Sequence, residues 1–194
     1  MQEITLLKPS ATELPGYAAA LARNWSPDTV RKAEAAREHL ERIATDATAF
    51  LASLDDQDAK GDPIKLPDRS LVARLPGFTR WIWDGEFCGS INFRWQRGTS
   101  TLPEHVLGHI GYSVVPWKRS AGYAKQALAL MLPQAKQRGL SYVELTTSPG
   151  NDASQKVILA CGGRLLERFV EPAAYGSGEG LRFRIDLADV GAGG

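Results

Sequence analysis

The chain has 194 residues, with 23 Lys and Arg against 22 Asp and Glu, for a formal net charge of +1. That balance argues against a general nucleic-acid binder, which relies on a basic excess, but leaves room for one local basic patch. Hydrophobic residues at 43% and charged residues at 23% are ordinary globular usage and argue against a disordered or fibrous chain. The length points to a single domain over 1–194 with a sizeable core. Two cysteines, Cys88 and Cys161, supply neither a disulfide framework nor a four-cysteine zinc site, so a reducing compartment is expected. The first residues, MQEITLLKPSATELPGY, do not read as a signal peptide, and no run approaches 18 apolar residues. The expectation is a cytoplasmic protein with no membrane partner.

In chain order, Ile4 to Leu7 reads as a strand and Thr12 to Trp25 as a helix with an early Pro15. Ser26-Pro27 resembles a fresh helix start, with Ser26 as N-cap. From Asp28 to Leu54 the apolar positions Val30, Ala33, Leu40, Ile43, Ala47, Phe50, Leu51 and Leu54 recur at helical spacing and predict one buried face. The polar, breaker-rich stretch 55–67 reads as a loop closing an N-terminal part, 1–67. Thr79–Trp83 and Phe87–Trp95 flank Asp84-Gly85-Glu86, a good hairpin signal. Val106 to Val115 predicts a central strand, Ala121 to Arg138 a helix stopped by Gly139, and Tyr142 to Thr147 a further strand. Asp152 to Ala160 predicts a short helix ended by Gly162-Gly163. Arg164–Val170 and Leu181–Leu187 predict the last strands, and 188–194 a flexible tail. A strand–helix–strand crossover among hairpins implies an α/β (α+β) fold, a mixed and mostly antiparallel sheet with helices on both faces.

The stretch GHIGYSVVPWKRSAGYAKQAL, from Gly108 to Leu128, carries the chemistry. A strand ends at Val115, a tight turn holds Lys118 and Arg119, and Gly122 lies at the opening of a helix. The first turn of a helix has unpaired N–H groups and a partial positive charge. A glycine there admits close approach of a ligand, and two cations beside it reinforce the field. This is an anion site suited to a pyrophosphate. Neither G-x-G-x-x-G nor G-x-x-x-x-G-K-[ST] describes the segment.

The run Arg119-Ser120-Ala121-Gly122-Tyr123-Ala124 matches [QR]-x-x-G-x-[GA]. It is followed by an amphipathic helix, a strand, Asn151-Asp152-Ala153-Ser154 and a short helix. This series resembles the GNAT superfamily of N-acetyltransferases over roughly Thr79 to Leu187, the expected cofactor-binding core. The resemblance implies acetyl-CoA as co-substrate and no metal. It implies that the backbone of Val114 and Val115 pairs with the pantetheine arm. It implies that N–H groups from Arg119 through Ser120, Ala121, Gly122, Tyr123 and Ala124 to Lys125 hold the pyrophosphate. Asn151 and Ser154 would then lie beside the thioester. Many members carry a general-acid tyrosine four residues beyond the Ser154 position; here that residue is Ile158, leaving Ser154, a water or unaided departure of the thiolate. A serine at the Ser154 position is shared with the branch that acetylates protein N-termini.

For the base, His109 on the central strand has a suitable reference pKa, with a structural histidine as the plainer alternative. Glu144, acting through water, and Tyr112 are further candidates. His105 and His109 would lie roughly 13 Å apart on a strand, too far to share a metal ion. The function expected is transfer of acetyl from acetyl-CoA to a primary amine of a small molecule or peptide by direct attack. Two other readings stay open: a non-catalytic CoA-binding regulatory module, and transfer of a longer acyl group. The acceptor and the oligomeric state, a homodimer included, are not fixed by these residues.

Overall fold

The computed structural model describes residues 2–65, 71–172, 177–188 and 190–191. Strand β1 (Thr5–Leu7) leads into α1 (Leu14–Ala22), where Pro15 occupies the first turn and its missing N–H costs nothing. The continuous helix expected over 28–54 is interrupted twice by aspartates. Asp28 accepts the N–H groups of Val30 and Arg31 and fixes a turn, so α2 (Ala33–Thr45) begins seven residues after Ser26, past Lys32 at φ 41°. Val30, expected on the buried face, is 54% exposed. Asp46 is extended at φ −156° and accepts the Ala49 N–H at 2.9 Å, which restarts the chain as α3 (Ala47–Ser53). Short oxygen-bearing side chains compete for backbone N–H groups and favour caps over helix interiors. The apolar periodicity survives the breaks: Leu40, Ile43, Phe50 and Leu51 still pack together.

The stretch expected as plain loop holds two short strands. β2 (Asp55–Asp56) pairs with Gly77 and Phe78, and β3 (Ile64–Lys65) pairs with β4 (Leu71–Val72). Lys8 at 2.6 Å and Arg80 at 3.6 Å neutralise Asp55, which lets an acidic dipeptide lie against a sheet edge. The hairpin signal is matched by β5 (Gly77–Trp83) and β6 (Phe87–Arg94). β7 is shorter than expected, Ile110–Val114. A 3-10 turn (Pro116–Lys118) precedes α4 (Tyr123–Gln137), β8 (Tyr142–Thr147), α5 (Asp152–Ala160), β9 (Arg164–Val170) and β10 (Glu179–Asp186). The tail expected to be flexible is held at its start, where Lys136 Nζ donates to the carbonyls of Ala188 and Val190. Residues 192–194 and the loop positions 173–176 lie outside the described residues.

The strands form two main antiparallel sheets, β1-β5-β6-β7 and β8-β10-β9, with β2 also paired to β5. Helices α1 to α3 cover one face of the first sheet through Tyr17, Trp25, Phe50, Trp81, Phe87 and Val115. Helix α4 and α5 cover the opposite face and the second sheet through Ile82, Phe93, Leu128, Met131, Leu145, Ile158 and Phe183. A bulge between Ile82 and Trp83 lets neighbouring β6 residues serve both layers, with Phe87 on one side and Ile91 and Phe93 on the other. Gly89 makes the bulge possible: at φ 149°, a Cβ there would meet the Ser113 carbonyl oxygen at 2.2 Å. Gly89→Ala is expected to destabilise the protein by about 3 kcal/mol, against about 1 kcal/mol for Gly139→Ala, whose φ is also positive but whose surroundings are open. Urea melts of the two variants check the difference.

Candidate active site

Strands β7 and β8 meet at one end only. The His109 N–H donates to the Glu144 carbonyl at 2.8 Å, and the Glu144 N–H donates to His109 Nδ1 at 2.9 Å. Gly108 permits the approach, because a Cβ there would stand 3.0 Å from the Glu144 carbonyl oxygen. Beyond this joint no ladder links the two strands among the described residues. The register between β6 and β7 pairs Gly89 with Val114 and Ile91 with Tyr112, while Val115 N–H donates to Cys88 and His109 carbonyl accepts from Arg94. In an antiparallel ladder, alternate residues turn their backbone groups away from the partner strand. Tyr112 and Val114 are those residues, so their N–H and C=O groups face the gap between the sheets.

This sharpens the expectation for the strand end. Val114 presents its backbone to the gap, where Arg119 Nε reaches its carbonyl at 3.3 Å. Val115 does not: its N–H is engaged by Cys88, its carbonyl accepts from Lys118 N–H, and its side chain is fully buried. At this strand end the backbone groups turned to the gap are thus those of Tyr112 and Val114.

The turn that follows has two left-handed residues, Ser120 at φ 63° and Gly122 at φ 82°. Gly122 is the N-cap of α4 and contributes no side-chain cap, so the first N–H groups of the helix, at Tyr123, Ala124 and Lys125, have no intrahelical acceptor. Arg119, Ser120, Ala121 and Lys125 are exposed around this opening. Concave backbone of this kind, at the positive end of a helix dipole, suits an anion.

Lys118 departs from expectation. Its ammonium lies 2.9 Å from Asp84 and 2.7 Å from Glu86, so its charge is neutralised by the β5–β6 turn. Asp84 also accepts the Tyr123 hydroxyl at 2.5 Å. Burial disfavours the Asp84 charge, but the hydrogen bond from Tyr123 and the pairing with Lys118 outweigh it and hold the carboxyl near pKa 2. The Asp-Gly pair signals only a hairpin in the sequence; its anchoring of the turn and of α4 needed the fold to become visible.

His109 is completely buried, and burial depresses its pKa to about 4 despite the nearby Glu144 charge. Its Nδ1 lone pair is engaged by the Glu144 N–H, and its Nε2, turned toward the Ser100 backbone, falls short of hydrogen-bond geometry. The ring packs edge-on to Tyr142. Glu144 is also engaged: Arg184 at 2.6 Å and Arg182 at 3.2 Å overcome its burial and keep it ionised. Ser154, in the first turn of α5, is half-buried, with Oγ 2.9 Å from the Tyr112 hydroxyl. Asn151 caps α5 by accepting the Ser154 N–H at 3.1 Å. Ile158 is fully buried in the core. Trp81 and Trp83 share one face of β5, and Trp117 is exposed beneath the Arg23 guanidinium, which lies 3.5 Å from its ring centroid. With Gly16, Trp83 and Phe87 these two line a cavity of about 190 Å³.

Residues 4–164 match the family model described as the acetyltransferase (GNAT) domain. The chain belongs to the GNAT acetyltransferase family. The fold of this acyltransferase is shared with solved structures at low identity. Microcin self-immunity acetyltransferase MccE, solved with acetyl-CoA and AMP, matches with a TM-score of 0.63 at 14% identity, over 96% of this chain and 93% of its own. Mycobacterium smegmatis RimJ, in complex with CoA-disulfide, matches with a TM-score of 0.63 at 19% identity, over 94% and 81%. A chimera of spermidine N-acetyltransferase SpeG from Vibrio cholerae and hSSAT matches with a TM-score of 0.61 at 12% identity, over 98% of both chains. No curated protein sequence matches significantly. Among the described residues of the enzyme, no helix is long and apolar enough to cross a membrane.

Asp84→Asn is expected to lower stability by about 2 kcal/mol at pH 7. A depressed carboxyl pKa contributes stability above the unfolded value of about 3.9 and loses it as pH falls toward the folded value. The gap between wild type and variant should therefore be full above about pH 4 and close toward about pH 2, as thermal melts across that range would record.

Proposed function

We propose that this acyltransferase moves acetyl from acetyl-CoA to a primary amine of a small molecule or a peptide. The observation that carries the reading is the continuous backbone surface formed by the open edge of β7 and the left-handed turn leading to the uncapped start of α4. Its chemistry fits the co-substrate along its length. Tyr112 and Val114 offer strand-like groups to a pantetheine amide, and N–H groups from Ser120 to Lys125 face a pyrophosphate, with the Arg119 side chain beside them because its own N–H donates to the Pro116 carbonyl. When bound, acetyl-CoA supplies a thioester carbonyl open to attack and a thiol as leaving group.

The chain's own residues then position and polarise. Backbone N–H groups at the open edge stabilise negative charge as it develops on a carbonyl oxygen. Ser154 stands at the gap as hydrogen-bond donor to the departing sulfur. Burial and the engaged Nδ1 give His109 the work of holding β7 against β8, in place of the base role expected from its residue type. Glu144 supports the same joint from within its arginine pair. The amine proton passes to solvent. Amine acetylation is the activity named for the spermidine N-acetyltransferase chimera that shares the fold.

The test is release of free thiol from acetyl-CoA over a panel of amines, with mass detection of the product. Turnover with at least one amine is expected. Arg119→Glu should raise KM for acetyl-CoA about tenfold, about 1.4 kcal/mol, with little change in kcat. The kcat profile should show no limb near pH 6.5. No binding of CoA by calorimetry would overturn the assignment.

A further inference from the structure

Tyr112 and Ser154 come from different elements and meet across the gap. Tyr112 lies on the open edge of β7, two residues before Val114, and its side chain points toward α5. Its hydroxyl stands 2.9 Å from Ser154 Oγ and 3.4 Å from the Ser154 carbonyl oxygen. The phenol has a single proton and is the more acidic of the two hydroxyls, so it is the better donor along the shorter contact to Oγ, with the Ser154 carbonyl a weaker second acceptor. Ser154 Oγ then serves as acceptor to Tyr112, and its own proton is free to point elsewhere. The Asn151 Oδ1 is occupied at the backbone, where it takes the Ser154 N–H at 3.1 Å. Burial raises the Tyr112 pKa to about 12 despite the hydrogen bond with Ser154, so the phenol stays protonated at working pH. Cys161, at the end of α5, is the other titratable group whose field reaches it.

We infer that Tyr112 is a positioning residue for the leaving group: by donating to Ser154 it turns the serine hydroxyl outward as a donor to sulfur. The chain of two hydroxyls polarises in one direction, and each bond strengthens the other. The first turn of α5 adds the positive end of its dipole. This inference rests on the acetyl-CoA reading above. In the step it serves, the amine lone pair forms the N–C bond and the C–S electron pair leaves on sulfur. The surplus proton of the nitrogen goes to water, and Ser154 stabilises the sulfur anion through a hydrogen bond without giving up its proton. The residue occupying the position of the usual helix tyrosine, Ile158, is sealed in the core, so the phenol reaches the serine from the strand instead.

The experiment is calorimetric titration of CoA and desulfo-CoA into wild type, Tyr112→Phe and Ser154→Ala at about pH 7 and about pH 9.5, with kcat and KM measured in parallel. A donor aimed at sulfur lowers the pKa of the bound thiol by about one unit from its ordinary value of about 8.5 and tightens CoA binding about sevenfold between the two pH values. Tyr112→Phe should cut that gain to about twofold and lower kcat about tenfold at unchanged KM for acetyl-CoA. Ser154→Ala should abolish the gain, and desulfo-CoA should show none with any variant. A wild-type gain retained in full by Tyr112→Phe overturns the inference and leaves the donor assignment standing. Failure of both CoA and desulfo-CoA to bind wild type overturns the donor assignment as well.

Discussion

The architecture turns on a joint between two strands that refuse to pair. At His109 and Glu144 the backbones of β7 and β8 are tied by two hydrogen bonds, one of them to a ring nitrogen in place of a carbonyl oxygen. Because Nδ1 lies off the main-chain axis, the bond to it does not propagate into a ladder. A row of backbone donors and acceptors is left facing a gap, an arrangement that would be an aggregation hazard on an ordinary sheet edge. In the proposed function this row becomes a surface for a ligand that acts as the missing strand.

The gap is kept open by what lies on either side. On one face Trp25 donates its indole N–H to Ser113 Oγ, and Ser113 donates onward to the Ser26 carbonyl, which ties the segment after α1 to the middle of β7. On the other, α4 packs Leu128 and Met131 against both sheets, so neither can rotate toward its neighbour. Glycines supply the tolerances. Gly108 lets the joint close, and Gly89 lets β6 bulge next to β7. The aromatic cluster of Tyr17, Trp25, Trp81 and Phe87 packs stacked and edge-on, which makes that side of the first sheet a stiff wall.

Much of this was legible in the sequence. The strands and helices from Thr79 onward appear near their expected positions because alternation, the Asp84-Gly85 turn and the Gly139 stop all agree with one another. The turn 119–122 was legible because it needs a glycine and a helix start in fixed order. What stayed hidden depends on contacts distant in sequence. Asp28 and Asp46 carry polar oxygens at helical spacing, and only their capping bonds reveal that they divide the helix. Lys118 reads as a free cation until Asp84, 34 residues away, is seen to hold it. His109 has the reference pKa of a base, and only the fold shows that it is completely buried with Nδ1 engaged by Glu144. Tyr112 reads as a candidate base on the strand until α5 brings Ser154 to its hydroxyl.

In the proposed reading, the neutralised Lys118 has a consequence for how the turn at the start of α4 meets a pyrophosphate. With that ammonium bound to Asp84 and Glu86, the attraction offered by the turn comes from oriented amides and from Arg119 and Lys125, without the third cation that the sequence suggests. Amide dipoles act at contact range and carry no net charge for salt to screen, whereas a lysine patch would draw anions from a Debye length away. In the proposed reading, capture at this turn is thus weighted toward contact range and toward shape. A polyphosphate must thread the backbone to be held, and ambient anions that cannot do so are given little reason to stay.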